Sequence, residues 1–166
     1  MSVRIERLAV QHERKGFDCG DVALNRFLLQ QAGQLARKDF GTTYVAVADD
    51  GVTVLGFVTL SAGQVACAQL QAAAQLPRHP APVLRMGRLA VDRRQQGQGI
   101  GQHLTAYALQ LALDFSRYVG LYAVLVDAKN EAARQFCERL GFRATLDDPL
   151  CLYLPLATLR KAAQGR

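Results

Sequence analysis

"DRRQQGQGIGQHL", residues 92–104, decides the reading of this chain. Its glycines at 97, 99 and 101 follow a strand-like run, "VLRMGRLAV" (83–91). They precede a pattern in which Ile100, Leu104, Tyr107, Ala108, Leu111 and Phe115 recur at the spacing of one helix face. The first amides of a helix lack internal partners and its dipole favours negative charge there, so a turn from strand to helix is a natural anion site. Glycine lets that backbone take positive φ and approach a ligand without a Cβ. The chemistry fits a phosphate. The spacing excludes two nucleotide classes. A dinucleotide fingerprint would need its third glycine at Gln102, and a Walker loop would need Gly-Lys-Ser/Thr where the chain has Gly101-Gln102-His103.

Working outward, "DVALNRFLLQQAGQLARK" (21–38) reads as an amphipathic helix capped by Asp21, with Leu24, Leu28 and Leu35 near one face. "TTYVAVA" (42–48) and "VLGFVTLSAGQVAC" (54–67) form a hairpin across the turn signal "DDG". Residues 68–82 begin as a short helix or loop and end in three prolines, which argue against a regular central element. "LYAVLVDA" (121–128) is a further strand, "EAARQFCERL" (131–140) a short helix ended by Gly141, and "GFRATL" and "LCLYLPL" closing strands. A strand at each terminus is a further option, and the last residues, "KAAQGR", are expected to fray. The order implies an α/β protein with a central mixed sheet flanked by helices.

At 166 residues, half of them apolar and 20% charged, the chain suits a single folded domain over 1–166. The opening "MSVRIERLAV" lacks a signal peptide's apolar stretch, and no segment approaches the roughly 20 apolar residues that span a bilayer. A cytoplasmic protein without a membrane anchor is expected. Cys19, Cys67, Cys137 and Cys151 form no C-x-x-C pair, and His12, His79 and His103 lack ligand-like spacing to them, so neither metal nor disulfide is implied. The net charge is +6, and Arg78, Arg85, Arg88, Arg93 and Arg94 cluster ahead of the glycines. They suggest either a local field for anions or a solvated arginine-rich surface.

Gln96-x-x-Gly99-x-Gly101, set between "RLAV" and an amphipathic helix, resembles the acetyl-coenzyme-A pyrophosphate loop of the GNAT N-acetyltransferases. A second region, "VDAKNEAARQFCERLGF" (126–142), resembles the family's Asn-initiated helix, with Asn130, Ala133, Phe136, Gly141 and Phe142 in the matching places. "FDCGDVALNRFL" (17–28), "GFVTLSAGQV" (56–65) and "LPRHPAPVLRMGRLAVD" (76–92) look like the branch of the family found as toxins of toxin–antitoxin pairs.

The resemblance implies the GNAT fold, acetyl-CoA as cofactor, and acetylation of the α-amino group of aminoacyl-tRNA, which blocks translation. It implies a ribbon-helix-helix antitoxin as partner and, by analogy, a homodimer. Amides around Gln96, Gly97, Gln98, Gly99, Ile100 and Gly101 would cradle the pyrophosphate. The main chain of Leu89, Ala90 and Val91 would pair with the pantetheine, and an N–H near Leu89 or Val91 would polarise the thioester carbonyl. Asn130, Ala133 and Phe136 belong to the same cofactor set. Rival readings are a GNAT enzyme acting on a small amine or protein amine without toxicity, and a catalytically weak acetyl-CoA-binding module.

The last rival is motivated by Cys137, which stands where the family has its acid, a tyrosine. It reads as a buried filler, a weak acid or an acetyl carrier, with Tyr107 and Tyr153 as substitute donors. Phosphates of tRNA would be met by Arg78, Arg85, Arg88 and Arg93. As strand positions Arg85 and Arg88 point to opposite faces, so they cannot both line one groove. Arg88 is the best candidate for the acceptor side, unless it forms an internal salt bridge to Asp92 or Asp127.

Overall fold

The computed structural model describes residues 3–71 and 73–165. Its strands are β1 (Arg4–Arg7), β2 (Thr42–Val47), β3 (Val54–Val65), β4 (Ala81–Val91), β5 (Ala123–Asp127), β6 (Arg143–Ala144) and β7 (Cys151–Pro155). They run in the order β1-β2-β3-β4-β5-β7-β6. β4 and β5 pair parallel, whereas β1/β2, β2/β3, β5/β7 and β6/β7 pair antiparallel, so the sheet is mixed as expected. The helices are α1 (Val22–Arg26), α2 (Ala32–Arg37), α3 (Ile100–Phe115), α4 (Glu131–Arg139) and α5 (Leu156–Gln164).

The chain divides into two compact units: the stretch up to Ser61 with Gly87–Ala108, and Ala62–Met86 with the stretch from Leu109 onward. In the first, Asp21 caps α1 as expected, its carboxylate accepting from the amides of Ala23 and Leu24. The helix does not then run on unbroken to residue 38. A π-turn over Phe27–Gln31, marked by the Ala32 amide donating to the Phe27 carbonyl, joins α1 to α2. Phe27, Leu28 and Ala32 reach the core, with Leu24 and Leu35 packed against it. Phe57 anchors that core, its ring 5.5 Å from Phe17 edge-on and 6.0 Å from Phe27 stacked. A Cβ on Gly56 would come within 2.9 Å of the Ala90 carbonyl oxygen and 3.1 Å of Ile100, so the bare glycine lets α3 lie close on the sheet.

In the second unit Tyr153 and Leu125, both almost fully buried, pack with Leu70, Ala81, Val83 and Ala123. β4 begins at Ala81, two residues ahead of the expected start, and includes Pro82. The proline is tolerated because it needs only to accept there, from the Tyr122 amide at 2.8 Å. Two further expectations need correction. Phe115 does not complete the buried stripe of α3: it is 46% exposed at the last turn, and Ala112 is buried instead. The C-terminal stretch is also not all strand and frayed tail, because β7 ends at Pro155 and α5 follows, with Leu156 buried. Pro155 sets extended φ/ψ at the N-cap, and it cannot continue a ladder.

Candidate functional site

Between β4 and α3, Gly97 and Gly99 both stand at φ +83°, a conformation other residues rarely adopt, and a Cβ on either would meet nothing within 4 Å. The first helical bond runs from the His103 amide to the Gly99 carbonyl. Among the described residues no acceptor serves the amides of Gln96 through Gln102, so the expected Gln96, Gly97, Gln98, Gly99, Ile100 and Gly101 form one run of open donors at a helix start. That is the chemistry a pyrophosphate needs: several donors and no side-chain entropy to lose.

The Gln96 side chain faces the other way. Its amide nitrogen donates to the carbonyls of Val91 (3.1 Å) and Cys19 (3.3 Å), lacing the turn to the end of β4 and to the loop before α1. A second clasp lies at Asp92, which is 1% exposed. One carboxylate oxygen accepts from the Arg94 amide and Nε, and the other from the Asp18 amide and Arg94 Nη2. The Arg94 guanidinium holds the carboxyl down at about 2. The Gly20 amide and the Asn25 side chain likewise lower Asp18, which also pairs with Arg93 at 3.3 Å. Sequence reasoning missed this clasp. Its one local signal is the "DRR" run, in which a carboxylate reaches the guanidinium two residues on.

The expected pantetheine strand, Leu89, Ala90 and Val91, ends β4. The β4–β5 ladder closes at Met86↔Val126, so this last stretch has no partner in β5. Main-chain groups on a strand that outruns its neighbour are available to an extended ligand.

α4, in the second unit, begins as read: the Asn130 side chain caps it by accepting from the Ala133 amide at 2.9 Å. Ala133 and Phe136 are half-buried, and Cys137 is buried, as a filler on the inner stripe would be. Burial pushes its thiol up to about 11. A free cysteine thiol has a reference value near 8.5, so this buried one holds its proton more tightly than an ordinary thiol does. Neither substitute is better placed. Tyr153 is 1% exposed and its hydroxyl accepts from the Gln71 amide at 2.9 Å; Tyr107 lies against Tyr44, centroids 5.2 Å apart, with its phenol raised by burial.

The arginines are differently engaged. Arg85 is ion-paired with Asp127, and Arg93 with Asp18. The salt bridge weighed for Arg88 is not formed: Asp127 takes Arg85 and Asp92 takes Arg94, while Arg88 stacks its guanidinium 3.9 Å above the centre of the Phe27 ring. Arg78 is exposed. Among the described residues no cluster of His, Cys, Asp and Glu is placed to hold a metal ion, no helix is long and apolar enough to cross a membrane, and all four cysteines are free.

The chain matches the Acetyltransferase (GNAT) family over residues 6–142. It is 33% identical over 157 residues to the tRNA-acetylating toxin of Mycobacterium tuberculosis (strain ATCC 25618 / H37Rv), covering 93% of this chain and 92% of that protein. It is similar to AtaT complexed with acetyl-methionyl-tRNAfMet, with a TM-score of 0.91 and 30% identity over 97% of this chain and 99% of that one. It is also similar to a tyrosine-to-phenylalanine mutant of AtaT bound to the C-terminus of the antitoxin AtaR and acetyl-CoA, with a TM-score of 0.83 and 29% identity over 96% and 97%. The family match takes in the glycine turn, the end of β4 that runs past β5 and the Asn130-capped helix together, and the chain belongs to the GNAT family of acetyltransferases.

Proposed function

We propose that this acetyltransferase moves the acetyl group of acetyl-CoA onto the α-amino group of aminoacyl-tRNA and acts as a translation-blocking toxin. The observation that carries the cosubstrate is the run of amides from Gln96 to Gln102, without an acceptor among the described residues, at a positive-φ turn. The acceptor is supported by the 33% identity to a tRNA-acetylating toxin across almost the whole chain, and by the likeness to AtaT with acetyl-methionyl-tRNA.

Acetyl-CoA supplies an activated acyl group that a neutral amine attacks directly, so no covalent enzyme intermediate is needed. The amides of Gln96 through Gly101 bind the pyrophosphate, and Asp92 and Gln96 hold them in place. The main chain of Leu89 to Val91 aligns the extended arm and offers an N–H to the carbonyl as charge develops on it. Asn130, Ala133 and Phe136 complete the cofactor side. Cys137 packs the inner face of α4, and solvent takes the proton that the attacking amine sheds and supplies the one for the departing thiolate. Arg88, held over Phe27, faces the acceptor, and Arg78 adds positive field for RNA phosphates, to which Arg85 and Arg93 contribute only on release from Asp127 and Asp18.

The same reading makes the chain one functional domain in the cytoplasm, dimeric, and silenced by a ribbon-helix-helix antitoxin. The AtaT complex with the C-terminus of AtaR supports an antitoxin partner. The test is purified protein with labelled acetyl-CoA and a charged tRNA pool. Label is expected on the RNA, released with the amino acid by mild alkali. Label on free amines with none on RNA refutes the acceptor. Acetyl-CoA binding without any turnover, the outcome that a buried Cys137 in the place of the family's tyrosine favours as a second reading, refutes the enzyme.

A further inference from the structure

On the first unit, two guanidinium groups converge on a point where no carboxylate among the described residues pairs with them. A Cβ on Gly33 would lie 3.2 Å from Arg37 Nη1 and 3.3 Å from Arg14 Nη1. Arg14 is held in this position by donating Nη2 to the Ala9 carbonyl at 3.3 Å. Neither arginine has a carboxylate partner among the described residues, although Asp39 stands two positions from Arg37. Asp39 instead takes φ +61° in the turn that ends α2, and beyond it Phe40 lies 73% exposed.

Two like charges on one spot repel unless an anion lies between them, and their planar forks suit a phosphate better than a point charge. The bare Cα of Gly33 lets both guanidinium groups close in on one spot, where a Cβ would crowd them. An exposed ring close by in the chain suits an unstacked base. We propose that Arg14 and Arg37 clamp one backbone phosphodiester of the acceptor RNA across Gly33, with Phe40 as a stacking platform beside it. This inference rests on the aminoacyl-tRNA reading above and adds to it a contact site that the glycine turn and α4 do not provide. Each non-bridging oxygen would take a charge-assisted bond of about 2.8 Å.

The test measures binding of deacylated tRNA to the full-length protein between 50 and 200 mM salt, alongside acetylation of charged tRNA. Arg37→Gln carries most weight, since Arg37 is exposed and has no ion pair among the described residues; Arg14→Gln follows with a thermal melt to check folding. Each should weaken tRNA binding about tenfold and flatten the salt dependence by about one unit of slope. The KM for charged tRNA should rise, with the KM for acetyl-CoA and kcat at saturating RNA unchanged. Phe40→Ala should weaken binding without altering the salt slope, because stacking releases no counterion. Unaltered affinity and slope in a folded Arg37→Gln protein that still acetylates tRNA overturn the clamp and leave the functional reading standing. A wild-type protein that neither binds nor acetylates tRNA overturns both.

Discussion

Replacing Asp92 with asparagine should loosen the glycine turn in a way that pH can isolate. The Asp92 carboxylate is 1% exposed and collects bonds from the Asp18 amide and from the amide, Nε and Nη2 of Arg94. Its fall from 3.8 to about 2 corresponds to roughly 2.5 kcal/mol of preference for the ionised form. Arg94 is 69% exposed, and solvent screening reduces this to about 1–2 kcal/mol of stability. Asparagine also turns an NH2 group toward one of those donors, so a loss of about 2 kcal/mol is expected at pH 7. The native carboxyl binds its proton less readily than the unfolded one, so its contribution is complete above about pH 4 and disappears as pH falls toward 2. Urea unfolding of both proteins should therefore give a constant gap from pH 7 to about 4 that narrows below it. The acetyl-CoA KM should rise in parallel, because the clasp fixes the turn that carries the amides. A gap under about 0.5 kcal/mol at pH 7, the range of an ordinary surface change, or one that stays constant to pH 2, refutes the reasoning.

Gly97→Ala and Gly99→Ala should each cost about 1–2 kcal/mol, from backbone strain alone since a Cβ meets nothing nearby, and should raise the KM for acetyl-CoA; calorimetric melts and initial rates check this. Cys137→Ala should leave the acetylation rate within about twofold while lowering stability by about 1 kcal/mol, and a hundredfold loss of kcat in the folded variant would restore Cys137 as a proton donor. Cys137→Tyr should keep or raise kcat, at the cost of overpacking about 1–3 kcal/mol, read from single turnovers and a melt together. Tyr153→Phe should cost about 1 kcal/mol, from the unpaired Gln71 amide, and leave turnover unchanged, which removes it as a substitute acid.

What could be read from sequence was whatever depends on near neighbours along the chain. Asp21 and Asn130 cap the helices they were expected to cap because a cap bonds two or three residues ahead. The glycine turn was legible for the same reason. Partner choice among the arginines was not, because it follows from which strands lie side by side. Arg85 finds Asp127 only because β4 and β5 pair Arg85 with Leu125, which brings that carboxylate across. The buried-filler reading of Cys137 was open to sequence, yet the degree of burial that raises its thiol is a tertiary quantity. α5 escaped because it starts at a proline that also ends a strand, and of its own residues only Leu156 is buried. The convergence of Arg14 and Arg37 on Gly33 has no signature in the chain, where they stand more than twenty positions apart.

The π-turn at Phe27–Gln31 gives the molecule one place where length is negotiable. A π-turn holds one residue more than the α-helix it interrupts, so deleting a residue there lets the helix close up as a plain α-helix with both flanks in phase. The same deletion within α3 would rotate everything beyond it by about 100° and lift Leu104 and Ala108 from their seats. Indels in the helical parts of this chain should therefore be tolerated first between Phe27 and Gln31, where a shorter chain still delivers Gly33 and Arg37 to the same face.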